Sequence, residues 1–216
     1  MSLLTPTELE CPRCGKTFTT TVWSTVNATL HAGLRERVLD GSIRQAKCPH
    51  CQQGITYEPL LLYHDMDRSF MIYLAPSRPG KPFTAPTAVL DMAEQLMTPY
   101  RLRFVTSYNQ LREKIIVFES GLNDYALEVL KLMVWANKFP EKNITDDSVY
   151  FSGLHTDGSG KPTIVLEFFE ATNYLGQIQV PRSVYDRSIT SAGEEKTRTH
   201  ALGEWTLVNQ SMFPKP

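Results

Sequence analysis

The sequence predicts an α+β protein in two parts: a small, β-rich N-terminal domain with one inserted helix, and a larger α+β domain after it. Three observations predict this. All four cysteines fall in two Cys-x-x-Cys pairs within the first quarter of the chain. Residues 75–86 hold four of the 14 prolines and one glycine, a composition that neither continues a helix nor joins a central strand. Beyond them the chain passes from helical to strand periodicity. The expected boundaries are 1–75 for the first domain, 76–86 for a semi-rigid linker and 87–216 for the second domain.

The cysteines read Cys11-Pro-Arg-Cys14-Gly15 and Cys48-Pro-His-Cys51, separated by 33 residues. Two intervening residues let a tight turn bring both sulfurs to one side while its N–H groups point at the thiolates and offset their charge. Proline after the first cysteine fixes φ, and Gly15 is free to take the left-handed conformation that closes such a turn. Gln52 stands at the equivalent place in the second turn, where positive φ would cost a side chain about 1 kcal/mol. Two such pairs supply the four soft ligands of one closed tetrahedral site. The metal ligands expected are therefore Cys11, Cys14, Cys48 and Cys51. One structural zinc is the preferred ion, with thiolate-bound iron the rival, since iron accepts the same tetrahedron. Two disulfides would suit a secreted chain, and a redox Cys-x-x-Cys usually stands alone, so both rank behind a metal.

Around the cluster, the Thr-rich run Lys16–Thr25, with Phe18, Val22 and Trp23, has strand composition. A helix should follow, with Asn27 as N-cap, Leu30, Leu34 and Val38 on one face and Gly41 at its end. After the second pair, Ile55–Tyr63 and Ser69–Leu74 read as strands joined by a turn at His64–Arg68. This is a zinc-ribbon-like plan with a helix between its two cysteine turns. These segments, together with Asp40-Gly41, Leu61-Leu-Tyr-His-Asp65, Leu111–Ile115 and Gly121–Lys131, resemble the CpXC domain family over about residues 7–131. The resemblance implies a prokaryotic protein with a metal-binding role and no particular activity. Gln52 departs from the glycine expected after the second turn.

In the second domain Val89, Ala93, Leu96 and Met97 trace a helical face that Pro99 ends, and Tyr100–Val105 alternates as a strand. Ser107 and Gln110 form a capping box for a helix carrying Leu111, Ile115 and Phe118, which Gly121 closes. Asn123 caps the longest helix, with Leu122 and Leu127 at the staple positions and Ala126, Val129, Leu130 and Met133 on its buried side. Strands follow at Val149–Leu154 and Thr163–Phe169, around a turn at Asp157-Gly-Ser-Gly160, and at Gln177–Val180.

Function is bounded more by what is missing than by what is present. Net charge is -1, from 22 basic and 23 acidic residues, so no global field draws the protein to nucleic acid or an anionic membrane. The N-terminal residues have neither a basic region nor an apolar run, and no segment has the roughly 20 apolar residues of a bilayer crossing. A cytoplasmic location away from the membrane is expected. Glu113-Lys114 and Asp124, Glu128 and Lys131 have the spacing of ordinary helix-surface pairs, and Tyr63-His64-Asp65 that of a turn. No nucleophile elbow, P-loop or His-Glu-x-x-His is present, so no catalytic residue and no further cofactor is assigned. The expectation is a non-enzymatic protein whose closed metal site stiffens a surface for a protein partner. The rivals are nucleic-acid binding through Arg13, Lys16, Arg35, Arg37, Arg44 and Lys47, and electron transfer through iron.

Overall fold

A computed structural model describes residues 1–76, 86–94, 99–192 and 203–212. It mixes helices and strands and divides into two compact units, Met1–Tyr108 and Asn109–Pro216. The division falls later than the Pro-rich stretch, of which residues 77–85 lie outside the described part. The reason lies in the strand that follows it. In the first unit the chain runs β1 (Leu3–Glu10), β2 (Thr17–Asn27), α1 (Ala32–Leu39), β3 (Gln45–Lys47), β4 (Gly54–Thr56), β5 (Leu61–Asp65), β6 (Phe70–Leu74), α2 (Thr87–Glu94) and β7 (Arg101–Val105). Strand β7 pairs in parallel with β6, Phe70 opposite Arg101 and Leu74 opposite Val105. The chain thus returns to the first sheet, in which the strands of this unit run in the order β1-β2-β5-β6-β7.

The centre of that sheet is made by β5 and β6: on one face Leu61, Tyr63, Phe70, Ile72 and Leu74 have no exposed surface, and on the other Leu62 and Met71 are buried. This corrects the expected turn at His64–Arg68. Tyr63, His64 and Asp65 are strand residues, and Asp65 ends β5 by accepting hydrogen bonds from the N–H and guanidinium of Arg68. The single strand expected over Ile55–Tyr63 is two, β4 and β5, interrupted at residues 57–60 around Pro59. The helix expected from Asn27 begins only at Ala32. Asn27 still caps, but its Oδ1 takes the N–H of Leu30 in a turn that leaves β2, and Leu30 is exposed. Leu34 and Val38 face inward as expected. Strand β1 has no counterpart in the sequence reading. It is an edge strand, mostly exposed and interrupted by Pro6 in composition, in antiparallel register with β2.

The second unit contains α3 (Tyr108–Glu119, starting at the boundary), α4 (Asp124–Lys138), β8 (Val149–Thr156), β9 (Pro162–Glu170), β10 (Asn173–Pro181) and α5 (Arg182–Ala192). The three strands form an antiparallel sheet in the order β10-β9-β8. Leu111, Ile115 and Phe118 are buried, and the Asn123 side chain accepts from Ala126 N at 2.9 Å, capping α4 as its sequence predicts. Leu122 and Leu127 are buried at the staple positions. Helix α5 was not expected. It ties down on α4, where Tyr185 Oη accepts from Asn123 N and Ser188 Oγ donates to Ala126 O.

The buried face of α4 is rotated from the one expected. Met133 is exposed, whereas Asp124, Glu128 and Lys131 are buried with Leu127, Leu130 and Trp135. With Glu113 and Lys114 of α3 they form a buried ionic cluster, each residue at most 4% exposed. Lys114 Nζ lies 3.1 Å from Glu128 and 3.4 Å from Asp124, and Lys131 Nζ lies 2.7 Å from Glu113 and 3.0 Å from Glu128. These are not surface pairs. Charge desolvated to this degree persists only where its partners converge, and here each ammonium bridges two carboxylates.

Candidate metal centre

Both Cys-x-x-Cys turns sit at the tips of β-hairpins. Cys11 and Cys14 lie between β1 and β2, and Cys48 and Cys51 between β3 and β4, whose pairing ends at Lys47 opposite Gly54. The two turns have one backbone pattern. In the first, Gly15 N donates to Cys11 O at 2.8 Å and Cys11 N to Lys16 O at 3.0 Å; in the second, Gln52 N donates to Cys48 O and Cys48 N to Gln53 O, both at 2.9 Å. The residue after each pair is left-handed, Gly15 with φ +67° and Gln52 with φ +63°. Gln52 therefore adopts the strained conformation its position implied.

The turns converge. Cys11 Sγ lies 3.6 Å from Cys51 Sγ, Cys14 Sγ lies 3.8 Å from Cys48 Sγ, and all four sulfurs are within 4.8 Å of one another. A disulfide needs about 2.05 Å, so these are free thiols. A tetrahedron with metal–sulfur bonds of about 2.3 Å has edges of about 3.8 Å, which the two short separations match. The first cysteine of each pair is fully buried, Cys14 faces solvent and Cys51 is half-buried. Behind them Phe18 and Ile55, with Leu9 partly buried, form a small apolar core joining the two hairpins. The four side chains are thus held by strand pairing on one side and by apolar packing on the other.

Four thiols in one small volume cannot all ionise unaided. Burial works against a Cys11 thiolate, but the N–H groups of Cys14 and Arg13 and the neighbouring thiols more than offset it, bringing its pKa down to about 6. At Cys51 the N–H of Gln53 favours the thiolate, yet burial and the neighbouring sulfurs prevail and push its pKa up to about 11. A cation bound between them removes that conflict by neutralising the charge they share. The donor set suits a soft or borderline metal, and its four sulfurs leave no position for water or substrate.

His50 is exposed inside the second turn and is not among the clustered donors. His64 lies on β5, its ring 3.3 Å from Tyr100 Oη, with burial holding its pKa below the usual histidine value. Of the basic residues near the cysteines, Arg44 is paired with Glu58 at 2.5 Å and stacked on the Tyr108 ring, and Arg35 is paired with Glu36. The buried cluster of Glu113, Lys114, Asp124, Glu128 and Lys131 is the feature that spacing alone did not reveal. Its signal was present, because Asp124, Leu127, Glu128, Lys131 and Trp135 lie on one helical stripe, so the charges share the face of the apolar anchors.

No described helix is long and apolar enough to cross a membrane. No curated protein and no solved structure matches the chain. The family model described as CpXC protein matches residues 9–131, which span both cysteine turns and more than half of the chain. With its four cysteines gathered at metal-binding distance at the start of that match, the chain belongs to the CpXC family.

Proposed function

We propose that the four cysteines hold one structural zinc ion in a cytoplasmic protein whose stiffened N-terminal hairpins present a surface to another protein. The convergence of four thiol sulfurs within 4.8 Å from two separate hairpins carries this reading. Cys11, Cys14, Cys48 and Cys51 would be the ligands. The ion would supply cross-linking of β1–β2 to β3–β4 and charge neutralisation, not a reactive position. A protein partner is favoured over nucleic acid because the net charge is -1 and two of the six nearby basic side chains, Arg35 and Arg44, already engage carboxylates.

The test is elemental analysis of purified protein with thiol titration before and after chelation. One zinc per chain, four thiols released by chelator and a colourless protein are expected. One iron with thiolate-to-iron absorption in the visible would overturn the zinc assignment in favour of electron transfer. Salt-dependent binding to a mixed-sequence DNA or RNA would overturn the choice of partner.

A further inference from the structure

The second unit has a cleft of about 380 Å³ between one stripe of α3 and one face of β8 and β9. Asn109, Arg112, Glu113 and Ile116 fall at helical positions i, i+3, i+4 and i+7 and so line a single side of α3. Opposite them stand Tyr150 and Glu167, which are cross-strand partners, and Phe169. The volume lies in the range of about 300–1,000 Å³ usual for small-molecule sites.

Two charged side chains there are not paired within the fold, and a third is only partly satisfied. Neither Arg112 nor Glu167 makes an ion pair or hydrogen bond with a described residue. Glu113 is only 4% exposed, and its Oε1 receives both Phe151 N, at 2.6 Å, and Lys131 Nζ, at 2.7 Å. Among the described residues no group donates to its Oε2. Glu113 is therefore fixed rigidly by the edge strand and the ionic cluster while one oxygen is left for something else. The rings of Tyr150 and Phe169, edge to face at 5.7 Å between centroids, supply an apolar wall.

We propose that this cleft binds a small amino-acid-like zwitterion with an apolar or aromatic body. The ammonium sits at Glu167 and Glu113, and the carboxylate sits at Arg112. Charge selects this class. With Glu113 already balanced by Lys131, the unpaired charges are Glu167 and Arg112: the first repels phosphates and other polyanions, and a simple cation leaves the second unmatched. A metal ion is disfavoured because the only described group of three or more metal donors is the cysteine cluster. Burial and the charge of Glu128 hold the Glu113 carboxyl above its usual pKa against the pull of Lys131 and Lys114, so an arriving ammonium also relieves the cost of ionising it.

The experiment is titration calorimetry on the full, metal-loaded chain with three probes that share a benzene ring: L-phenylalanine, phenethylamine and 3-phenylpropionate. Phenylalanine should bind best, phenethylamine more weakly and 3-phenylpropionate not at all. Glu167→Gln should weaken both amines about tenfold or more, and Arg112→Gln should weaken phenylalanine while leaving phenethylamine unchanged. Both side chains lie outside the buried ionic cluster, and an unchanged circular dichroism spectrum verifies folding. No binding of any probe at concentrations on the order of 10 mM, equal binding of all three, or binding indifferent to both substitutions overturns the proposal.

Discussion

The two units each bury a cluster of groups that water would otherwise solvate, and they hold them by opposite means. In the first, four thiols crowd one volume with nothing but backbone N–H groups and each other to compensate them. In the second, two ammoniums and three carboxylates neutralise one another almost completely. The cysteine cluster is incomplete without a cation and the ionic cluster is complete within the chain. Removing something from each should therefore have different consequences, and the sizes of those consequences rank the two designs.

The largest effect belongs to the metal. Structural zinc contributes about 10 kcal/mol or more to the folding of small metal domains, and among the described residues the apolar core behind these cysteines is Phe18, Ile55 and part of Leu9. Chelation of the metal-loaded chain should abolish hydrogen-exchange protection across β1–β4 while β8–β10 keep theirs. Cys48→Ser should do the same at micromolar metal. Protection retained in β1–β4 after complete metal loss would mean that the hairpins stand on strand pairing alone, and the contrast between the units would vanish.

Next comes the ionic cluster. Glu128 accepts Lys114 and Lys131 at Oε1, and Gln210 Nε2 donates to Oε2, so Glu128→Gln leaves two buried ammoniums short of a counter-charge. Breaking a buried pair in this way costs about 3–5 kcal/mol. Lys142 and Glu170, paired on the surface and each more than 40% exposed, provide the internal control. Glu170→Gln should cost less than about 1 kcal/mol. Urea unfolding of both variants decides the matter, and equal losses would show that burial adds nothing at Glu128.

This contrast also explains what could be read in advance. Coordination chemistry dictates the spacing within Cys11–Cys14 and Cys48–Cys51, so the site was legible residue by residue before any fold was known. Asn123 as the cap of α4 was legible for the same reason, since a local hydrogen bond defines it. The charges of α3 and α4 were not, because i, i+3 and i, i+4 spacing says that side chains share a face but not whether that face meets water. Strand β1 escaped because an exposed edge strand lacks the alternation that burial imposes, and Asn27 misled because its side chain caps a turn as readily as a helix. Properties set by neighbours in sequence were visible, and those set by neighbours in space were not.

A smaller effect separates two carboxylates within the ionic cluster. Burial raises the Glu113 pKa, and the attraction of Lys131 and Lys114 does not fully offset it; at Glu128 burial acts the same way but the two lysines win and the pKa falls. A raised carboxyl stabilises the fold below its unfolded value of about 4.5 and loses that contribution as pH rises through the folded value. A lowered one stabilises above about 4.5 and loses the contribution as pH falls through its folded value. The cost of Glu113→Gln should therefore shrink as pH rises above about 4.5, while that of Glu128→Gln should not. A Glu113→Gln cost that grows with pH would mean that the two lysines outweigh burial at Glu113 as they do at Glu128, and would remove the distinction.

The smallest effect lies inside the metal centre, where the two turns share the same backbone hydrogen bonds and differ in the residue at the left-handed position. Gly15 and Gln52 both have left-handed φ. A side chain costs about 1–2 kcal/mol there, whereas glycine adds about 0.4–1 kcal/mol of unfolded-state freedom. Gln52→Gly should therefore stabilise the metal-loaded protein by less than about 1 kcal/mol, the more so because the only hydrogen bond it loses, Gln52 Nε2 to Pro49 O at 3.2 Å, is exposed. Gly15→Gln should destabilise by about the same amount, and through the backbone alone, since no atom lies within 4 Å of where its Cβ would stand. Chelator competition on the two variants measures both shifts on one scale. Shifts of the same sign would mean that the Gln52 side chain contributes something to the second turn that its conformational strain conceals.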